Sequence, residues 1–160
     1  MLWLASMSRI ELRIAAEGFT LPEPAAPVAA YVPTVLAGGL LHISGQIPFM
    51  ADGQLMTGKI GGERDLAWGI AAAERCGLML IAQMKAALGD LDRVERIVKL
   101  GAFVASTPDF ADQPKVANGA SELMVRIFGE AGRHARSAVG VPSLPLDTSV
   151  EIDAIVAVHP

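Results

Sequence analysis

The chain has 160 residues, of which 52% are apolar and only 19% charged, and its formal net charge is −4. That is enough apolar material for one domain spanning 1–160, and more than a monomer of this size readily hides, so self-association is expected. No lysine or arginine cluster and no basic helix stripe occurs, which counts against a nucleic-acid partner.

The opening "MLWLASM" is apolar for too few residues to form a signal peptide or a membrane span, and it lacks a basic flank. With a single cysteine, Cys76, and hence no internal disulfide, the cytoplasm is the expected compartment. Met7 offers a second possible start. Residues 1–30 read as an N-terminal extension that includes a strand at 10–14 and leads into a draped segment. Pro22, Pro24, Pro27 and Pro33 forbid a regular helix there and favour an extended path.

From Leu40 to Phe49 the chain is apolar and β-branched, and Asp52-Gly53 predicts a turn that folds the next segment back as a hairpin. Between Asp65 and Leu88 apolar or small residues recur at helical spacing, and Gly89 supplies a stop. Gly69 and Gly77 inside that helix cost about 1 kcal/mol each relative to alanine, which predicts close approach of its backbone to a sheet. Residues 96–106 read as a buried strand. A second helix starts between Asp109 and Pro114 and carries Val116, Ala120, Leu123, Met124, Ile127 and Phe128 on one face up to Gly129. Strands at 135–141 and 150–158 close the chain. The order predicts an α+β fold, a mixed sheet with two helices on one face and a neighbouring subunit covering the other.

Four polar residues interrupt or border these apolar segments: Tyr31, Ser44, Arg136 and Glu151. An arginine keeps its charge, so burying Arg136 calls for a carboxylate, either the protein's own or a ligand's. Glu151 on an adjacent strand is the internal candidate. Ser44-Gly45-Gln46 alone reads as a strand bulge or turn, and Tyr31 alone as a surface or interface tyrosine. His134 reads as a polar strand-end residue and Cys76 as core. His42, His134 and His159 lack metal-ligand spacing, so no metal site is expected, and neither a phosphate loop nor a nucleophile elbow is present.

Twelve residues separate Tyr31 from "SGQIP", and further on come "DLDRVERIVKLGAFV" and "ARSAVGVPSLPLDTSVEIDAI". From Tyr31 to its C-terminus the chain resembles the RidA/YjgF/YER family of reactive-intermediate (imine) deaminases, also labelled endoribonuclease L-PSP. The resemblance implies a chorismate-mutase-like α+β fold, assembled as a homotrimer with an inner β-barrel and with its sites in clefts between subunits. It also implies hydrolysis of 2-enamino or 2-imino acids to 2-oxo acids and ammonia, without metal or organic cofactor. Arg136 would grip the substrate carboxylate and backbone groups near Gly45 and Ala138 would complete the hydrogen bonding. Glu151 would hold and polarise the attacking water. Tyr31 and Ser44 would orient substrate or pass protons, the tyrosine reaching in from or facing a neighbouring chain.

Three features depart from the family pattern. Ala138 stands where cysteine is frequent, His134 where proline is common, and residues 109–135 are longer than in short members. These features resemble a longer branch of the superfamily, whose members are mostly of unassigned function. The alternative reading is a non-catalytic trimeric protein that binds or senses small carboxylates. An endoribonuclease or translation inhibitor is disfavoured by the acidic composition. A chorismate mutase would need more cationic groups for a dianionic substrate than Arg136 supplies.

Overall fold

The computed structural model describes residues 7–160, and the apolar opening, Met7 apart, lies outside that range. In chain order the elements are α1 (Arg9–Ala16), β1 (Thr34–Ala37), β2 (Leu40–Gln46), α2 (Leu66–Leu88), β3 (Val94–Ala105), α3 (Gln113–Phe128), β4 (Ala135–Val141) and β5 (Val150–Val158). The strands form one mixed sheet in the order β1-β2-β5-β3-β4, with only the β3–β4 pair parallel.

Side-chain alternation sets the layers. Along β5 the even-numbered residues from Val150 to Val158 are buried and the odd-numbered ones half-buried, so one face packs in a core while the other stays accessible. Ile97, Leu100, Ala102 and Val104 of β3 join the buried face beneath α2 and α3. The open face carries Val35, His42, Lys99, Phe103, Val139, Glu151 and Asp153, as the cross-strand register places them.

Both long helices lie where the periodicity puts them. Asp65 caps α2 through Trp68 N–H at 2.9 Å, and Gly89 and Gly129 end α2 and α3 in left-handed backbone at φ +76° and +65°. The glycines of α2, however, face α3 rather than the sheet. A Cβ on Gly77 would lie 2.8 Å from Leu123 Cδ2, and one on Gly69 3.0 Å from Val116 Cγ2. Gly119 of α3 completes the contact, because a Cβ there would run into the Ile70 carbonyl of α2. The close approach is between two helices, while Cys76 marks the sheet-facing side of α2, its Sγ 3.7 Å from Val150 O of β5.

Two further expectations are corrected. The strand expected at 10–14 is helix α1, held by a capping box in which Ser8 and Glu11 satisfy each other's backbone N–H groups. Asp92 reinforces it by accepting from Arg9 N–H and Ile10 N–H, each at 3.0 Å. The Asp52-Gly53 turn does form, with Gly53 at φ +87°, but it closes a single bridge between Phe49 and Leu55 instead of a strand pair. Pro48 has no N–H to donate to a ladder there. The hairpin lies one step earlier, where Gly38 and Gly39 at φ +58° and +77° join β1 to β2. Two consecutive residues of positive φ match the two-residue turn that the strand twist favours.

Candidate functional site

The site begins with a fault in strand pairing. Ile43 pairs with Ala154 and Gln46 with Ile152, so β2 advances three residues while β5 advances two. The surplus makes a β-bulge at Ser44-Gly45, which turns backbone and side chain out of the ladder. Ser44 Oγ donates to Val32 O and Ser44 N–H to Pro33 O, both at 2.9 Å. These bonds fasten the end of the draped segment and so place Tyr31. Gly45 has no side chain because Glu151 fills that space, and a Cβ would collide with Glu151 Oε1.

Tyr31, Ser44, Gly45 and Glu151 thereby line one cavity of 260 Å³, walled by apolar groups that include Phe49 and Leu146. Leu146 is 73% exposed and sits at φ +58°, beside Asp147 at φ +59°. Two successive left-handed non-glycine residues at the cavity rim are strained backbone of the kind that gathers at functional sites.

A buried amide pair supports the bulge from behind. Gln83, in the middle of α2 and only 2% exposed, donates through Nε2 to Ala25 O at 2.9 Å and to Gln46 Oε1 at 3.3 Å. Gln46 Nε2 in turn donates to Ser44 O at 3.0 Å. Sequence reasoning missed Gln83, although an amide among Leu80, Ile81 and Met84 was the available signal.

Electrostatically the cavity has a carboxyl group and no cation among its lining residues. Partial burial, helped by the neighbouring charge of Asp153, raises the pKa of Glu151 above the usual carboxylate range. Burial also raises Asp153, against the Gly101 N–H bond and the Lys99 charge, which act to lower it. Cys76 is a core thiol beneath β5, with Sγ 3.7 Å from Val150 O. Burial foremost, then the charge of Glu151, holds its pKa well above the ordinary thiol value, so no thiolate is available for attack. Among the described residues no three His, Cys, Asp or Glu side chains gather as a metal group.

Arg136 and Ala138 are elsewhere. They pair with Leu100 and Ala102 on β4, the opposite edge of the sheet from β1 and β2, and share the helix side with those partners. Glu151 pairs with Phe103 on the open side. The Arg136–Glu151 ion pair considered from sequence does not form, because β3 separates the two strands and the side chains leave opposite faces. Three strand spacings, about 14 Å, lie between β2 and β4. Arg136 instead lies along α3, where Nη1 donates to Asn118 Oδ1 at 2.8 Å and Ser121 Oγ at 3.0 Å, and Nη2 to Pro114 O at 3.2 Å. None of these acceptors is charged, so the guanidinium has no counter-ion among the described residues.

A helix-backed mixed sheet, with a bulge-lined cavity near one edge and an uncompensated arginine at the other, defines an α+β protein of chorismate-mutase-like architecture. The model of the "YjgF/chorismate mutase-like, putative endoribonuclease" family matches residues 11–157, and the chain belongs to that family. It is 48% identical over 157 residues to Protein TCP17 of Trypanosoma cruzi, covering 98% of each chain. It is similar to the crystal structure of Atu1372, a protein of unknown function from Agrobacterium tumefaciens, at 49% identity, 94% coverage of both chains and a TM-score of 0.86. Further off, at 25% identity and a TM-score of 0.61, it resembles E. coli TdcF with bound serine, covering 88% of this chain and 96% of that one.

Proposed function

We propose that this protein hydrolyses small 2-imino or 2-enamino acids to 2-oxo acids and ammonia, in clefts formed between neighbouring copies in a homotrimer. One observation carries the reading. The cavity holding Glu151, Tyr31 and Ser44 lies at the β2–β5 bulge while Arg136 lies on the helix side of the β4 edge, so neither half is a complete site for a carboxylate-bearing substrate. A head-to-tail contact sets the β4 edge of one copy against the β2 side of the next, and such heterologous contacts close into rings. The same contact covers exposed Val139 and Phe103 on the open face. The serine seen in the TdcF structure supports a small amino-acid-like ligand.

In the completed cleft, Arg136 pairs with the substrate carboxylate, and backbone groups near Ala138 and Gly45 fix its other polar atoms. The protonated imine carbon then faces Glu151. The carboxylate form of Glu151 takes a proton from water as the water oxygen bonds to that carbon. The resulting amino alcohol expels ammonia once the nitrogen has accepted the proton from Glu151, the regenerated carboxylate takes the hydroxyl proton as the C=O of the 2-oxo acid forms, and that proton leaves with the ammonia as ammonium. Water enters, ammonium leaves and no electrons are transferred. The raised pKa of Glu151 makes its carboxylate a better proton acceptor than an ordinary one. Tyr31 and Ser44 orient the nitrogen and relay protons. The described residues include no helix long and apolar enough to cross a membrane, and a cytosolic location near imine-releasing enzymes fits this role.

The test is release of 2-oxo acid from enzymatically generated 2-iminopropanoate, with Arg136→Ala and Glu151→Gln beside the wild type. Arg136→Ala should lower kcat/KM by about a hundredfold or more, and Glu151→Gln should lower kcat. If well-folded wild-type protein gives no acceleration yet saturably binds 2-oxobutanoate, the protein is a carboxylate-binding module instead.

A further inference from the structure

Arg136 is held by a directed chain of hydrogen bonds. His134 Nδ1 lies 2.7 Å from Gly132 O. A carbonyl only accepts, so Nδ1 carries the proton. Burial first, and then the charge of Arg136, lower the His134 pKa against the Gly132 bond. The ring is therefore neutral at physiological pH, and Nε2 is an acceptor. Ser121 Oγ, 2.9 Å from Nε2, must give its hydrogen to the ring, which turns its lone pairs toward Arg136 Nη1 at 3.0 Å. His134 thus fixes Ser121 as an acceptor, and Ser121 with Asn118 uses both hydrogens of Nη1. Pro114, Asn118 and Ser121 are spaced by four and three residues on α3, one face of a helix.

A guanidinium has five N–H groups. Three are engaged by Asn118, Ser121 and Pro114. Those of Nε and one on Nη2 have no partner among the described residues, and these two nitrogens share one edge of the planar group.

We propose that Ser121 and His134 are positioning residues, occupying Nη1 so that Arg136 takes a ligand carboxylate side-on through Nε and Nη2. This rests on the carboxylate-gripping role of Arg136 proposed above. Losing Ser121 or the ring acceptor frees Nη1 to compete as an end-on donor and loosens the guanidinium. Binding then suffers while the chemistry of bound substrate does not.

The experiment measures 2-oxobutanoate affinity and imine-hydrolysis kinetics for the full-length protein and for Ser121→Ala, Ser121→Thr, His134→Ala, His134→Gln and Arg136→Ala. The Arg136 Nε–H resonance is followed during the 2-oxobutanoate titration. Ser121→Ala and His134→Ala should each raise Kd and KM by about five- to tenfold with kcat unchanged. Ser121→Thr keeps the hydroxyl and His134→Gln an acceptor, so both should restore affinity. The Nε–H resonance should shift downfield on binding in the wild type. Wild-type affinity in both alanine variants alongside lost binding in Arg136→Ala would overturn the positioning role and leave the clamp standing. A full effect with no Nε–H shift would overturn side-on binding. Unchanged affinity in Arg136→Ala would remove the clamp itself, and this proposal with it.

Discussion

At Gly45 a single missing methyl group separates the needs of the fold from those of the site. Gly45→Ala would push its Cβ into the flexible end of Glu151 rather than into backbone. The fold should therefore lose no more than about 1 kcal/mol in urea denaturation, while imine hydrolysis falls at least as far as in Glu151→Gln. Glu151 and Asp153 also make stability depend on pH. Both are raised in the folded protein, so between the ordinary carboxylate range and the raised values the native state holds protons that the unfolded chain has released. Stability is present below that window and lost as pH rises through it. Glu151→Gln with Asp153→Asn should accordingly raise Tm at about pH 8 and leave it unchanged at about pH 4, as read by thermal melts. At this scale much of the cavity was legible in the sequence. Tyr31, Ser44 and Glu151 are polar interruptions of apolar segments, and the bulge was one reading of Ser44-Gly45. The surroundings of Arg136 were not legible, since nothing in "RHARSAV" tells that β3 stands between β4 and β5 or that Asn118 and Ser121 lie beneath the strand.

Among the elements, the α2–α3 contact is the least forgiving. Gly119→Ala would set a Cβ against the Ile70 carbonyl, which cannot move without displacing its helix, whereas at Gly77 the nearest atom is the end of the Leu123 side chain. Gly119→Ala should destabilise by about 3 kcal/mol or more and Gly77→Ala by clearly less, in paired denaturant titrations. Long elements were legible because α2, α3, β4 and β5 each repeat their pattern over enough residues to fix a period. The N-terminal errors came from short ones. Ile10, Leu12 and Ile14 alternate like a strand, yet the S-x-x-E of Ser8 and Glu11 decides for helix. Ser8→Ala should cost about 1 kcal/mol. In "TVLAGGLLHIS" the Gly-Gly pair marks the hairpin, but the prolines just before it hide how short β1 is.

For the whole molecule the open face is the feature to explain. Phe103 and Val139 are 36% and 46% exposed on neighbouring strands and directly paired, forming an apolar patch on the same side as Glu151. In the proposed ring this patch is interior, so Phe103→Asp or Val139→Asp should shift the protein from trimer to monomer by light scattering while far-ultraviolet circular dichroism stays unchanged. Activity should disappear together with the trimer.

The placement of Arg136 and Glu151 on opposite faces of one sheet has a genetic counterpart. If every cleft borrows its arginine from one copy and its glutamate from the next, two lesions need never meet in the same cleft. Arg136→Ala and Glu151→Gln proteins, each inactive alone, should complement when co-expressed or unfolded and reassembled together. In random mixing at equal amounts, about a quarter of the clefts would receive an intact residue from both sides. Recovery of roughly that fraction of wild-type activity would show that catalysis belongs to the seam between chains, and a mixture as dead as its parents would return it to the single chain.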